Sequence, residues 1–270
     1  MAIVYAHRGG AKLRPENTLL AFDHGLSLGA DGLEFDVHLS RDGVVVVHHD
    51  TTLDRTTDGR GPLAALTADE LARLDAGYHF EGHRGRTGGV PRLDEVLRRY
   101  PSAHLIIELK VNDPELARRT IDAVRAADAV DRVALGSFGT RVLRAARACE
   151  PAIRTGSSRE ETRLALYRSW VRWPVRRPAY QEFQVPELAG RTRVVSPRFV
   201  RYAHDAGLRV KVWTVDAADD MRRLLGWGAD AIISDRPDIA VPVVRSMSVS
   251  EDSPGPPAAA AAKAGRKTSG

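Results

Sequence analysis

Short apolar, β-branched runs alternate along the chain with stretches whose apolar residues recur at helical spacing. The runs cover residues 3–6, 32–37, 44–49, 105–109, 133–137, 153–157, 194–196, 208–215 and 231–235. Most are followed by an amphipathic stretch, such as residues 16–28 or 114–127, which is the alternation of parallel strands with crossover helices. The second and third runs are the exception, because only Ser40-Arg41-Asp42-Gly43 and its neighbours separate them. That spacing is too short for a crossover and Asp-Gly is a hairpin signal, so residues 44–49 are expected to run antiparallel, outside the main sheet. Eight parallel strands remain. The predicted fold is α/β, a (β/α)8 TIM barrel in residues 1–245 with a small insertion after the second strand, at about residues 39–91. A doubly wound open sheet is the alternative, but no Gly-x-Gly-x-x-Gly fingerprint follows a strand.

Composition narrows this only a little. With 43% apolar and 28% charged residues the 270-residue chain has the balance of a globular domain with a sizeable core. Residues 246–270 are rich in Ser, Pro, Ala and Gly and are expected to be a disordered tail. No long apolar run is present, and Met1 leads directly into a strand-like segment, so neither a membrane span nor a secretion signal is expected. Cys149 is alone, which excludes an intramolecular disulfide or a thiolate metal cluster and fits a cytoplasmic location. The 40 basic residues are offset by 35 acidic ones, which argues against nucleic acid as a partner. Residues 168–183 depart from that balance, since Trp170, Trp173, Tyr180 and Phe183 are interleaved with Arg168, Arg172, Arg176 and Arg177. Such a surface suits phosphates or lipid headgroups, but Pro174 and Pro178 read more simply as a helix end running into a loop.

In a barrel the active site lies at the C-terminal ends of the strands. His7-Arg8 ends the first run, Glu34 and Asp36 sit in the second, and Glu108-Leu109-Lys110 ends the run at 105–109. Charged side chains inside apolar strands are costly unless paired or bound to metal. Alternation puts Glu34 and Asp36 on one face, with Leu33, Phe35 and Val37 on the other. Glu108 from the neighbouring strand would add a third oxygen ligand, a set that suits Mg2+ or Ca2+ rather than zinc. Alternatively the carboxylates pair with Arg8, Lys110 or Arg55 without metal. Lys211 and Trp213 stand in the run at 208–215.

The hairpin bears on two adjacent histidines. With Asp42-Gly43 as a two-residue turn, Asp36 lies opposite His49; moving the turn centre back one residue puts Glu34 there instead. Either register turns His49 to the carboxylate face and His48 away. His7 and His49 then converge on the acidic cluster, one able to accept a proton and the other to give one, which reads as phosphate-ester chemistry with Arg8 and Lys110 neutralising phosphate oxygens.

At these residues the sequence resembles the glycerophosphodiester phosphodiesterase family. The matching segments are His7-Arg8-Gly9, Pro15-Glu16-Asn17-Thr18, the stretch from Gly29 to Val37, Asp42-Gly43, His49-Asp50, Leu53-Asp54-Arg55-Thr56-Thr57, Glu108-Leu109-Lys110, Ser137-Phe138, Trp213-Thr214-Val215 and Ser234-Asp235-Arg236-Pro237. They span His7 to about Pro237 in the family's order. The resemblance implies a barrel with an insertion after the second strand, metal ligands at Glu34, Asp36 and Glu108, and an acid/base pair at His7 and His49. It also implies substrate contacts at Arg8, Lys110, Glu16, Asn17 and Trp213. Ser40 and Ser234 stand where the family usually has threonine, and Val195-Ser196-Pro197 lacks the asparagine often found before that proline.

The function implied is metal-dependent hydrolysis of a small-molecule glycerophosphodiester to sn-glycerol 3-phosphate and an alcohol, with Mg2+ or Ca2+ as cofactor. No stable membrane anchor is expected, and weak phospholipid contact through residues 168–183 is compatible with the composition. A lysophospholipase D acting on lipid-bearing diesters would share the catalytic set. A non-catalytic phosphate-ligand binding protein would have no evident need for two proton-transfer groups.

Overall fold

In the computed structural model, which describes residues 2–174 and 177–251, the apolar runs become the wall of a barrel. The strands are β1 (Ile3–His7), β2 (Gly32–Leu39), β3 (Val45–Val47), β4 (His104–Leu109), β5 (Val133–Gly136), β6 (Arg154–Thr155), β7 (Glu182–Pro186), β8 (Leu188–Ala189), β9 (Thr192–Arg193), β10 (Arg209–Trp213) and β11 (Ala231–Ser234). The helices are α1 (Leu19–Ser27), α2 (Ala68–Leu71), α3 (Leu93–Arg99), α4 (Pro114–Ala126), α5 (Thr140–Cys149), α6 (Arg159–Trp170), α7 (Pro197–His204), α8 (Ala218–Gly226) and α9 (Pro237–Glu251). Parallel pairing runs β6-β5-β4-β2-β1-β11-β10-β7, and a parallel bridge from Gly156 to Glu182 joins β6 to β7 and brings the ring close to closure. The predicted eight-stranded (β/α) barrel is the observed fold.

Strand alternation divides the core into layers. Leu33, Phe35 and Val37 of β2, with Leu105, Ile107 and Leu109 of β4, face the helices and belong to the large cluster between sheet and helices. Tyr5, Ile106, Ala134, Ala231 and Ile233 point inward and form a smaller cluster inside the barrel. As expected, β3 pairs antiparallel with β2, and the excursion it opens has its own cluster of Val46, Leu53, Leu63, Ala68, Leu71 and Val90. Helix starts follow the caps written in the chain. Thr18 caps α1, Asp113 caps α4 ahead of Pro114, and Ser158 with Glu161 forms a capping box on α6.

Two expectations are corrected. Residues 194–196 are not a barrel strand: Val194 and Val195 both donate their N–H groups to the Glu187 carbonyl, and Ser196 caps α7. The strand is β7, whose Glu182 and Gln184 break the apolar run because their side chains lie on its inner face, opposite the buried Phe183 and Val185. The expected tail also begins too early, since α9 continues to Glu251; its remainder, residues 252–270, lies outside the described residues. So do Val175 and Arg176 of the basic aromatic segment.

The inward polar residues of β7 meet a partner deep in the barrel. Lys211 Nζ lies 2.8 Å from Glu182 Oε1, with both residues almost wholly buried, and also reaches the Tyr5 hydroxyl at 3.3 Å. The Gln184 side-chain amide donates to the same Glu182 oxygen at 2.7 Å. A buried pair is expensive to break because the remaining charge has no water to solvate it. Lys211→Ala is therefore expected to lower the free energy of unfolding in urea by about 3–5 kcal/mol, whereas Lys211→Met combined with Glu182→Leu recovers most of that loss. Equal destabilisation by the single and double variants would contradict a paired role for these groups.

Candidate active site

The loop leaving β1 brings the first polar residues to the mouth. Arg8 and Gly9 take φ of 50° and 86°, and a Cβ on Gly9 would lie 2.7 Å from the Ala21 backbone carbon, so the turn packs directly on α1. The Arg8 N–H bonds the Glu34 carbonyl at 2.7 Å, and the Asn17 N–H bonds the Arg8 carbonyl at 3.0 Å, which ties loop and strand together. Arg8 then reaches Glu16 Oε1 at 2.8 Å and Asp36 Oδ2 at 3.2 Å.

Glu34, Asp36 and Glu108 converge so that one carboxylate oxygen from each lies within 4.8 Å of the others. Asp36 and Glu108 are direct partners in the β2–β4 register. Lys110 Nζ sits 3.3 Å from Asp36 Oδ1 and 3.3 Å from Glu108 Oε1, yet neither oxygen has a hydrogen-bond partner although both are buried. Burial, then crowding by Asp36 and Glu108 against the opposing charge of His7, pushes the Glu34 carboxyl up to about 8. Glu108 is likewise raised, by burial first and by Asp36 second. Asp36 is held low against its burial by Lys110 and then Arg8, and accepts a 2.9 Å hydrogen bond from Asn17 Nδ2. Buried oxygens without hydrogen-bond partners and a carboxyl that burial keeps from ionising fit an all-oxygen cation site. These three residues could hold a metal ion.

Each imidazole at the mouth leans on a carboxylate. His7 Nδ1 lies 2.7 Å from Asp235 Oδ1, while its Nε2 is 3.6 Å from Glu34. Burial opposes charging of His7, but Glu34 and the hydrogen bond to Asp235 outweigh it and raise its pKa. His49 Nδ1 lies 2.5 Å from Asp50 Oδ1. Burial prevails there over the charge of Asp36 and the bond to Asp50, so His49 is shifted down. Arg55 bridges Asp50 and Glu16, with Nε 2.7 Å from Asp50 Oδ2 and Nη1 2.8 Å from Glu16 Oε2. Against the burial of Glu16, Arg55 and Arg8 depress its carboxyl to about 2. The run from His49 through Asp50, Arg55 and Glu16 to Arg8 is one continuous polar network.

The hairpin register differs from both expected ones. Val37 pairs with Val47, and the His48 N–H bonds the Asp36 carbonyl, so Asp36 lies opposite His48. The turn has three residues rather than two: Ser40 N–H bonds the Val44 carbonyl around Arg41-Asp42-Gly43, with Gly43 at φ 75°. Alternation alone would then aim His48 at the carboxylates. It does not, because β3 ends at Val47 and the chain bends, leaving His48 Nε2 on the Thr52 carbonyl and His49 in the pocket. His49 reaches the mouth through the end of the strand, not through its pleat.

The mouth opens into a cavity of about 770 Å³. Of the sequence candidates, His7, Arg8, Glu34, His49, Glu108, Lys110 and Trp213 line it, while Glu16, Asn17 and Asp36 stand behind that wall. Asn17, buried and spent on Asp36, supports a carboxylate instead of facing the cavity. Sequence reasoning passed over His38, Gln184 and Glu182, and treated Asp50 and Asp235 only as parts of motifs. His38 Nε2 bonds the His49 carbonyl at 3.0 Å and so fixes the segment carrying that imidazole. Its signal was present, since positions 34, 36 and 38 share one strand face. Gln184 lines the cavity beside Gly136 and Gly156, where a Cβ on either would crowd its side chain.

A model of the Glycerophosphoryl diester phosphodiesterase family matches residues 7–239. A glycerophosphodiester phosphodiesterase of Caldanaerobacter subterraneus subsp. tengcongensis is 33% identical over 248 residues, covering 90% of this chain and 98% of that protein. The crystal structure of glycerophosphodiester phosphodiesterase from Agrobacterium tumefaciens superposes with a TM-score of 0.76 at 31% identity, over 91% of this chain and all (100%) of that one. An Oleispira antarctica phosphodiesterase in complex with the product sn-glycerol-3-phosphate aligns with a TM-score of 0.74 at 27% identity, over 90% and 96% of the two chains.

The raised Glu34 carboxyl has a consequence for stability. A carboxyl whose pKa lies higher in the folded chain than in the unfolded one favours folding at low pH, and that contribution fades as pH rises toward about 8. In the presence of a chelator, Glu34→Gln is expected to be more stable than the parent chain at pH 9 by roughly 0.5–2 kcal/mol, with the gap closing near pH 5. Thermal unfolding followed by circular dichroism measures this. A variant less stable at pH 9 would mean that Glu34 is ionised and satisfied there.

Proposed function

As a member of the glycerophosphoryl diester phosphodiesterase family, to which the chain belongs, this protein is an enzyme that hydrolyses glycerophosphodiesters, and we propose that it does so with a divalent cation and the His7/His49 pair. The product held by the Oleispira antarctica phosphodiesterase supports sn-glycerol 3-phosphate as the product here, with an alcohol as the leaving group. One observation carries the reading: two imidazoles, each anchored through Nδ1 to a carboxylate, share one cavity with Glu34 and Glu108 of a crowded three-carboxylate cluster.

Glu34, Asp36 and Glu108 would hold the cation, Mg2+ or Ca2+, which suits an all-oxygen set. Bound there, it would supply positive charge to the phosphate oxygens. Arg8 and Lys110 add to that field from the protein side, and both are positioned by the same carboxylates they neutralise. Glu16 and Asn17 serve this arrangement from behind, by orienting Arg8 and Asp36. Trp213, edge-on to Phe138 at 5.9 Å, forms an apolar wall for the substrate.

Proton movement falls to the histidines. An Nδ1 bonded to carboxylate leaves Nε2 as the working atom, as in other histidine–carboxylate pairs. One imidazole takes a proton from the nucleophile, either water itself or the glycerol 2-hydroxyl whose cyclic phosphate water then opens, and the other protonates the departing alkoxide, which is too basic to leave unaided. Asp235 and Asp50 fix the two rings, and Arg55 fixes Asp50.

Among the described residues no helix is long and apolar enough to cross a membrane. The lone Cys149 requires no oxidising compartment, and the cytoplasm is the proposed location. The barrel with its excursion is the proposed catalytic domain.

Chelator-stripped enzyme incubated with glycerophosphocholine is expected to release glycerol 3-phosphate only after Mg2+ or Ca2+ is restored. His49→Ala lowers kcat by roughly 10²- to 10⁴-fold under the same conditions. Full turnover in chelator would exclude the cation, and an unaffected His49→Ala would remove the histidine from the chemistry. Ending the chain after Glu251 is expected to leave kcat/KM within about twofold, the scatter typical of surface changes. A large loss would give residues 252–270 a part in the reaction.

A further inference from the structure

The cavity has a side that the chemistry does not use. Helix α6 lines it with Arg159, Arg163, Leu166, Tyr167 and Trp170, positions three and four apart and therefore one helical face. The hairpin of β8 and β9 lines the cavity too, with Leu188 at its base, paired with Arg193. The exposed large apolar side chains among the described residues are Phe138, Leu164, Tyr167, Trp170, Val171, Trp173 and Leu188. Four of these seven line the cavity, and Leu164, Val171 and Trp173 extend the patch along and beyond α6. Trp170 is 49% exposed, Trp173 65% and Val171 70%. Of the segment first read as a simple helix end, Tyr180 and Phe183 are indeed core, but the two tryptophans are surface.

Scattered exposed apolar residues need no explanation, but a contiguous set at the rim of a pocket does. Its charge says what kind of surface it meets. From Thr162 to Gln181 the chain has no acidic residue, yet carries Arg163, Arg168, Arg172, Arg176 and Arg177. Of the acids just before, Glu161 pairs with Arg147 and Glu160 bonds the Thr140 hydroxyl with Arg163 nearby, while the Arg159 guanidinium lies 5.1 Å from the Phe138 ring centre. Tryptophan and tyrosine with flanking arginines favour the boundary between lipid headgroups and acyl chains, the aromatic bodies entering and the guanidinium groups meeting anionic phosphates.

We propose that this rim, α6 with the segment to Trp173, Phe138 and Leu188, docks reversibly on an anionic phospholipid surface and holds the cavity mouth at headgroup level. The enzyme thereby works where diesters derived from phospholipids are produced. Contact of this kind is peripheral: a few side chains enter the interface, and electrostatic attraction supplies much of the affinity. It shares the cavity with the catalytic site proposed above, but docking needs no turnover, so either reading can fail without the other.

Co-sedimentation of the full chain with vesicles tests this. Binding is expected to vesicles of phosphatidylcholine containing phosphatidylglycerol, to be weak on phosphatidylcholine alone, and to fall as salt is raised. Tryptophan emission should shift to the blue on binding. Trp173→Ser and Leu164→Ser, made separately and together, are expected to cut binding about tenfold for the pair, with turnover of glycerophosphocholine unchanged as the control for folding. Absence of binding to anionic vesicles, or undiminished binding by the double variant, would overturn the proposal. So would a lipid-free dimer that the double variant abolishes, which would assign the face to a second copy of the chain.

Discussion

Three carboxylates brought together by adjacent strands of a barrel set a condition that the surrounding chain has to meet. Glu34 and Asp36 share one face of β2, and Glu108 pairs in register with Asp36. Their negative charges must be offset where little water can reach. Arg8 and Lys110 offset part of that charge, and burial with the neighbouring carboxylates raises the Glu34 pKa. The three carboxylates could hold a metal ion, whose charge would offset the remainder.

Much of the neighbouring structure reads as support for this arrangement. Asn17 adopts φ 58° in the loop and hands its amide to Asp36. Glu16 holds Arg8 with one oxygen and Arg55 with both, and Arg55 in turn steadies Asp50 beside His49. His38 anchors the backbone of His49 from the next position on the carboxylate face of β2. These residues do not line the cavity; they hydrogen-bond the groups that do, or the carboxylates and backbone beside them, and so hold Arg8, Asp36 and His49 in place.

The interior of the barrel separates two electrostatic regimes. Around Lys211 and Glu182 a single cation and a single anion meet at 2.8 Å with a tyrosine hydroxyl and an amide completing the set, so charge is balanced. At the mouth, anions outnumber their cations. Gln184 connects the two, bonded to Glu182 below and facing the cavity above.

The amino-acid sequence determined the barrel, because seven of its eight parallel strands stand as apolar runs in alternation with amphipathic helices, and it placed two of the three carboxylates together, because alternation puts positions 34 and 36 on one face whatever their surroundings. It also exposed the antiparallel excursion through Asp42-Gly43. It did not reveal β7, whose Glu182 and Gln184 are polar for the sake of partners on β10 and in the cavity, distant in the chain. Nor did it give the register of the hairpin: Ser40, Asp42 and Gly43 close a three-residue turn through contacts that dipeptide preference does not encode. His49 belongs to the mouth for a reason absent from its own strand, the bend after Val47. The exposure of Trp170 and Trp173, against the burial of Tyr180 and Phe183 a few residues later, was likewise decided by tertiary structure. Local patterns specify which face a side chain takes, but where a strand ends and what a face meets are set by the packing of segments far apart in the chain.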